Sequence, residues 1–215
     1  MENNKLQPEA LFGFFSKICE IPHGSKNEAQ ISAFLQNFGK ELGYETIADS
    51  VGNVLIKKPA SAGYEDRKTI ILQSHMDMVC DKRPDVEHDF TKDPIKTWVD
   101  GEWLKAQGTT LGADNGIGVA AAMAVLADKS LKHGPINCLF TIDEETGLTG
   151  AEALAPELLQ GDILVNLDSE DEGEMFIGCA GGVCNYAAFK HGWVPVGSDM
   201  FFMKVDINAD RKSVV

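Results

Sequence analysis

In "LQSHMDMV", His75 and Asp77 stand two residues apart, just after the apolar run Thr69-Ile70-Ile71-Leu72. Two more apolar runs close on acids: "CLFTIDEE" brings Glu144 and Glu145, and "ILVNLDSE" brings Asp168. A further acid, Asp114, lies in the glycine-rich "GTTLGADNGIGVA" where a helical pattern begins. Short, continuous, β-rich runs read as strands covered on both faces. The carboxyl ends of such strands form the ligand crevice of an open α/β sheet. Carboxylates gathered there repel one another unless a cation neutralises them. Oxygen donors together with an imidazole suit zinc, manganese or cobalt. On this reading His75 is a metal ligand. Residues i and i+2 of a strand share a side, so Asp77 can accept the other imidazole N–H and fix its tautomer.

Taken singly, each residue has a plainer explanation. A lone histidine at a strand end is more often structural, and Glu144 and Glu145 are acids of the kind that favour a helix N-terminus. Asp168 can cap or turn after its strand, and Asp114 can be an ordinary loop aspartate. Their coincidence at four such positions is what favours the metal site. Gly112, Gly116 and Gly118 do not form a phosphate loop: the spacing is not GxGxxG, no GK[ST] follows, and Asp114 would repel a phosphate. Cys179 and Cys184, in "CAGGVC", read as buried small residues. His23, His88, His133 and His191 have no evident partner.

The elements needed to position these residues are legible. Pro8 opens a helix with Leu11, Phe14, Phe15 and Ile18 on one face. Ser25 to Glu28 has the spacing of a capping box for a second helix, with Ile31, Phe34, Leu35, Phe38 and Leu42 inward and Gly43 at its end. "YETIADSVGNVLIKKPA" predicts two strands around a Gly-Asn turn, and "TIILQSHMD" a covered strand. Residues 80–110 read as polar loop interrupted by a hairpin at Asp100-Gly101. "GIGVAAAMAVLAD" is a small-residue helix able to pack close to a sheet. "INCLFTIDEE" predicts a buried strand, "TGAEALAPELL" a helix and "DILVNLDSE" another buried strand. Alternating strands and helices imply an α/β three-layer sandwich around a mostly parallel sheet. Past Gly181-Gly182 the pattern turns to strands without helices, as at the opening of a second, antiparallel domain.

The 215 residues, 44% of them hydrophobic, can bury one ordinary core. With 19 Lys+Arg against 33 Asp+Glu the net charge is −14. Such a surface repels nucleic acid and anionic membranes. Five cysteines without CxxC spacing argue against a disulfide framework and a zinc ribbon. No signal-like or bilayer-length apolar segment is evident, so a cytosolic protein with reduced thiols is expected.

"SHMDMV", "GTTLGADNGIGVA", "DEETGLTGA" and "NLDSEDEGEMFIGCAGG", in this order and spacing, resemble the co-catalytic zinc metallopeptidases that include carnosinase and aminoacylase. Within them the likeness is to the bacterial aminoacyl-histidine dipeptidases, and it runs to about Ile207. The resemblance implies a fold of the zinc exopeptidase kind and hydrolysis of Xaa-His and other dipeptides by water activated between two zinc ions. The nearest alternative is an N-acyl amino acid amidohydrolase of the same superfamily. It also implies roles: His75 and Asp168 hold one zinc, Glu145 the other, and Asp114 bridges them. Asp77 orients His75, Glu144 is the general base, and a cis peptide follows Asp114. The family's second zinc takes a further histidine from a longer chain, and its lid domain forms the homodimer. The chain is therefore expected to comprise the first part of a catalytic domain (1–181), the start of an α+β lid (182–209) and a non-native tail (210–215). That tail is what GAT CGG AAG AGC GTC GTG, the start of a common sequencing adapter, encodes. By itself the 215-residue chain is expected to be an inactive metal-binding fragment with an incomplete second site.

Overall fold

The computed structural model describes residues 6–169, 171, 173–179 and, singly, 181, 188, 190 and 192. It divides into two units, Met1–Met175 and Phe176–Val215. The elements below belong to the first. The expected lid strands and the tail at 210–215 lie outside the described residues, apart from those single positions.

Helix α1 (Glu9–Cys19) follows Pro8, whose fixed φ suits a helix entry. Helix α2 (Ala29–Glu41) buries Ile31 and Leu35 and ends at Gly43. Strands β1 (Glu45–Ala48) and β2 (Val54–Lys58) form a hairpin, and β3 spans Ile70–His75. Strands β4 (Thr97–Asp100) and β5 (Trp103–Ala106) make a separate hairpin. Helix α3 (Ala113–Ala127) precedes β6 (Ile136–Thr141), which is buried throughout. A four-residue α4 (Thr149–Glu152), a 3-10 turn (Pro156–Leu158) and β7 (Ile163–Asn166) follow.

The larger sheet has the order β1-β2-β6-β3-β7. Strands β6, β3 and β7 run parallel, whereas β2 is antiparallel to both β1 and β6. The α/β class is as expected, with a mixed sheet. Helices α1, α2 and α3 share one face, packing Phe15, Ile18, Leu35 and Met123 over Ile56, Cys138 and Phe140. Leu55, Ile71 and Leu139 point the other way, where Leu154 and Leu158 cover them. The far end of α3 is fixed by Lys58, whose buried ammonium donates to the carbonyls of Val125 (2.7 Å) and Asp128 (2.5 Å). These are carbonyls a helix end otherwise leaves unpaired.

Four expectations are corrected. The Ser25–Glu28 capping box does not form: α2 starts four residues after Ser25, and no side chain caps it. Ser25 instead donates to Asp77 (2.8 Å), and Glu28 accepts the N–H groups of Lys26 and Asp143. The helix expected over "TGAEALAPELL" stops after one turn, because Pro156 cannot continue its hydrogen bonding. Strand β7 is exposed along its whole length, since among the described residues it has β3 on one side only. Cys179 is exposed, not buried, and Cys184 lies outside the described residues.

Between β3 and α3 the chain makes a long excursion, residues 79–112, that is closed at its neck. Arg83 N–H donates to Gly108 C=O, Thr110 N–H to Asp81 C=O (2.9 Å each), and Lys82 pairs with Thr109. Ile95, buried, ties the body of the excursion to the end of α1 through its N–H to Cys19 C=O. The β4–β5 hairpin projects beyond, with Trp103 largely exposed.

Candidate metal centre

The parallel register sets the site. His75 pairs with Thr141 of β6, and Gln73 with Asn166 of β7. Two to four residues past those partners the chain presents Asp168, Glu144 and Glu145 at the level of the His75 ring. Asp114 comes from the first turn of α3, next to a cis Asp114–Asn115 peptide. The approach needs glycine at 112: its φ is +71°, and a Cβ there would lie 2.8 Å from Met78 Sδ.

His75 Nε2 lies 3.1 Å from Asp114 Oδ1 and 3.6 Å from Asp168 Oδ1. Its Nδ1 faces Asp77, at 3.0 Å from the main-chain oxygen and 3.2 Å from Oδ1. Two sets of ligand atoms, His75/Asp114/Asp168 and His75/Glu144/Glu145, each fall within 4.8 Å of one another. The structure thus brings together all six residues singled out in the sequence.

The electrostatics fit a cation. Burial alone would push the His75 imidazole down, but Asp114, Asp168 and Asp77 hold its pKa up at about 12. Carboxylates crowded at one point in this way favour a bound cation among them. Burial likewise opposes the charge of Asp77. His75, the Glu144 N–H and the Ser25 hydroxyl together keep its carboxyl below the usual range. A nitrogen donor aimed at hard oxygen donors, its other nitrogen held by a carboxylate, is the donor set of a zinc or manganese site.

Beneath the ligands lies a layer of which the sequence reveals only Asp77. Glu28, Asp77 and Asp143 are all buried, with carboxylate oxygens within 4.8 Å of one another. Burial raises the pKa of Glu28. Their oxygens already accept hydrogen bonds: Asp77 takes the N–H groups of Glu144 (3.0 Å) and Glu145 (3.2 Å), and Asp143 takes the hydroxyls of Thr146 and Thr149 (2.5 Å each). This trio braces the loop that carries Glu144 and Glu145. Its signal was present in "DEE" and in Ser25-x-x-Glu28, but the latter has the same spacing as a helix cap. His23 also gains a partner, donating from Nδ1 to Ile21 C=O (2.5 Å), and burial lowers its pKa.

The profile of Peptidase family M20/M25/M40 matches residues 71–204. The chain is 54% identical over 182 residues to the cytosol non-specific dipeptidase of Escherichia coli (strain K12), covering 85% of this chain and 38% of that one. Among solved structures, the aminoacylhistidine dipeptidase of Vibrio alginolyticus superposes with a TM-score of 0.78 at 54% identity, over 80% of this chain and 35% of that one. A tripeptidase of Staphylococcus aureus gives 0.65 at 26% identity, over 76% and 44%. The chain therefore spans less than half the length of each of these relatives. With the profile covering most of the sequence and the strand-end acids of the matched region gathered round His75, the chain belongs to Peptidase family M20/M25/M40.

Proposed function

We propose that the chain is the metal-holding part of a cytosolic dipeptidase that uses two zinc ions and, at the full length of its relatives, works as a homodimer. The observation that carries this reading is the convergence of Asp114, Asp168, Glu144 and Glu145 on one imidazole whose other nitrogen is held by Asp77. His75 and Asp168 would hold one ion and Glu145 the other, and Asp114 would serve both. Bound zinc supplies Lewis acidity, making water a nucleophile near neutral pH and polarising a carbonyl. Glu144 takes the proton of the attacking water and delivers it to the leaving amine. Asp77 keeps the His75 tautomer with Nε2 toward the ion. The three carboxylates of Asp114, Glu145 and Asp168 would offset most of the charge of two dications. The dipeptidase relatives at 54% identity point to short peptides as the substrate class.

Metal content tests the ligand assignment directly. His75, Asp114 and Asp168 make a nearly complete set for one ion, whereas Glu145 and Asp114 give the other only two protein ligands. Calorimetry on the 215-residue chain should show one zinc bound tightly and a second weakly. Two tight zincs, or none, would refute the assignment. At full length, hydrolysis of Ala-His with acetyl-amino acids left intact is the expected outcome. The reverse preference would make the protein an acylase instead.

A further inference from the structure

Glu144 and Glu145 lie on the loop between β6 and α4, residues 142–148, and one side chain that the assigned chemistry does not use bonds both its start at Ile142 and Gly150 of α4 just past its end. Asn53, fully buried, accepts the Ile142 N–H at Oδ1 (3.0 Å) and donates from Nδ2 to Gly150 C=O (2.8 Å). Its second Nδ2 proton goes to Asp49 Oδ2 (2.7 Å). Asp49 Oδ1 meanwhile accepts the N–H groups of Val51, Gly52 and Asn53. The amide has one sensible orientation, since a flip would point its oxygen at a carboxylate and a carbonyl. The two feet of the loop are in contact: a Cβ at Gly150 would come within 2.3 Å of Ile142 O. Resting on the ligand roles proposed above, we infer that Asn53 is a positioning residue, a clamp from the β1–β2 turn that fixes where the loop presents Glu145 and Glu144.

The alternative is a merely structural asparagine completing a turn, and the two differ in what they do to each ion. Loss of an outer partner bonded directly to a ligand costs a metal site about 10–100-fold in affinity, and Asn53, which reaches the ligands through the loop's main chain, should cost about the lower end of that range. The clamp acts first on Glu145 and reaches His75 only at one remove, through the Asp77 carboxylate that accepts the Glu144 and Glu145 N–H groups, so the loss should fall more heavily on the weaker ion. Cobalt(II) titration of the 215-residue chain, followed by visible absorption, with zinc calorimetry beside it, reads the two equivalents separately. Asn53→Asp keeps the side-chain volume and the acceptor for Ile142 but loses the donor to Gly150, and Asn53→Ala loses both. Both should weaken the second equivalent by about tenfold and the first by clearly less. Leu35→Ala, a cavity in the helical layer, should lower the melting temperature and spare both equivalents. Unchanged second-equivalent binding in both Asn53 variants, or equal weakening of both ions, overturns the clamp. If neither Asn53 variant folds, Asp49→Asn carries the same test, with a weaker second equivalent expected and no change overturning the inference. Glu145→Ala separates the two levels: if it spares the second ion, the ligand assignment fails, whatever Asn53 does.

Discussion

Replacing Asp114 with alanine should strip the chain of tightly bound zinc. Its Oδ1 is 3.1 Å from His75 Nε2, and in the proposed arrangement it is the one carboxylate that both ions share. Without it, one ion keeps only His75 and Asp168, and the other keeps Glu145. The loss should exceed the roughly 10–100-fold that follows from removing an outer hydrogen-bonding partner, because a ligand itself is gone. The side chain is 36% exposed, so the fold should survive. Metal analysis and calorimetry on the purified chain check the outcome, and zinc content equal to that of the unaltered protein would refute the bridging role.

Glu144→Ala should do the opposite in the full-length protein: both metals stay, and turnover falls by about 10²–10⁴-fold, the typical contribution of a positioned proton carrier. The loop should hold its place, because Asp77 grips residue 144 through the main-chain N–H, which alanine keeps. Glu144→Gln should be as slow, since an amide cannot accept the water's proton. A kcat close to normal with either variant would remove Glu144 from the chemistry. The contrast with Asp114 is the useful part, because one variant loses metal and the other loses rate alone.

The strand ends were readable in the sequence because the apolar runs are short and each stops on a polar group that a buried strand would not otherwise tolerate. The same pattern assigns His75, Glu145 and Asp168 to one end of a sheet, where the parallel register also puts them. Other features were not readable because they depend on partners distant in sequence. Ser25 and Glu28 carry the spacing of a helix cap, yet Asp77, fifty-two residues from Ser25, and Asp143, one hundred and fifteen from Glu28, claim those groups. The run "ILVN" signals that a strand wants cover, but not whether a neighbour supplies it, and β7 proved exposed. Asn53 looked like turn punctuation, and its contacts with Ile142 and Gly150 cross more than eighty residues of sequence.

The neck of the excursion between β3 and α3 has a consequence for how such proteins can diverge. His75 and Asp77 lie just before it and Asp114 just after it, and the pairing of Lys82 with Thr109 closes the path between them. Ile95 anchors the body of the excursion to α1, so the part that the neck and this anchor leave free of the ligands is the hairpin tip beyond them. Loop tips of this sort tolerate insertions when the flanking backbone is already pinned. Descendants of an ancestral gene could lengthen, shorten or redecorate the turn at Asp100-Gly101 without renegotiating the metal geometry, so lineage-specific variation can accumulate there while the inherited centre stays the same.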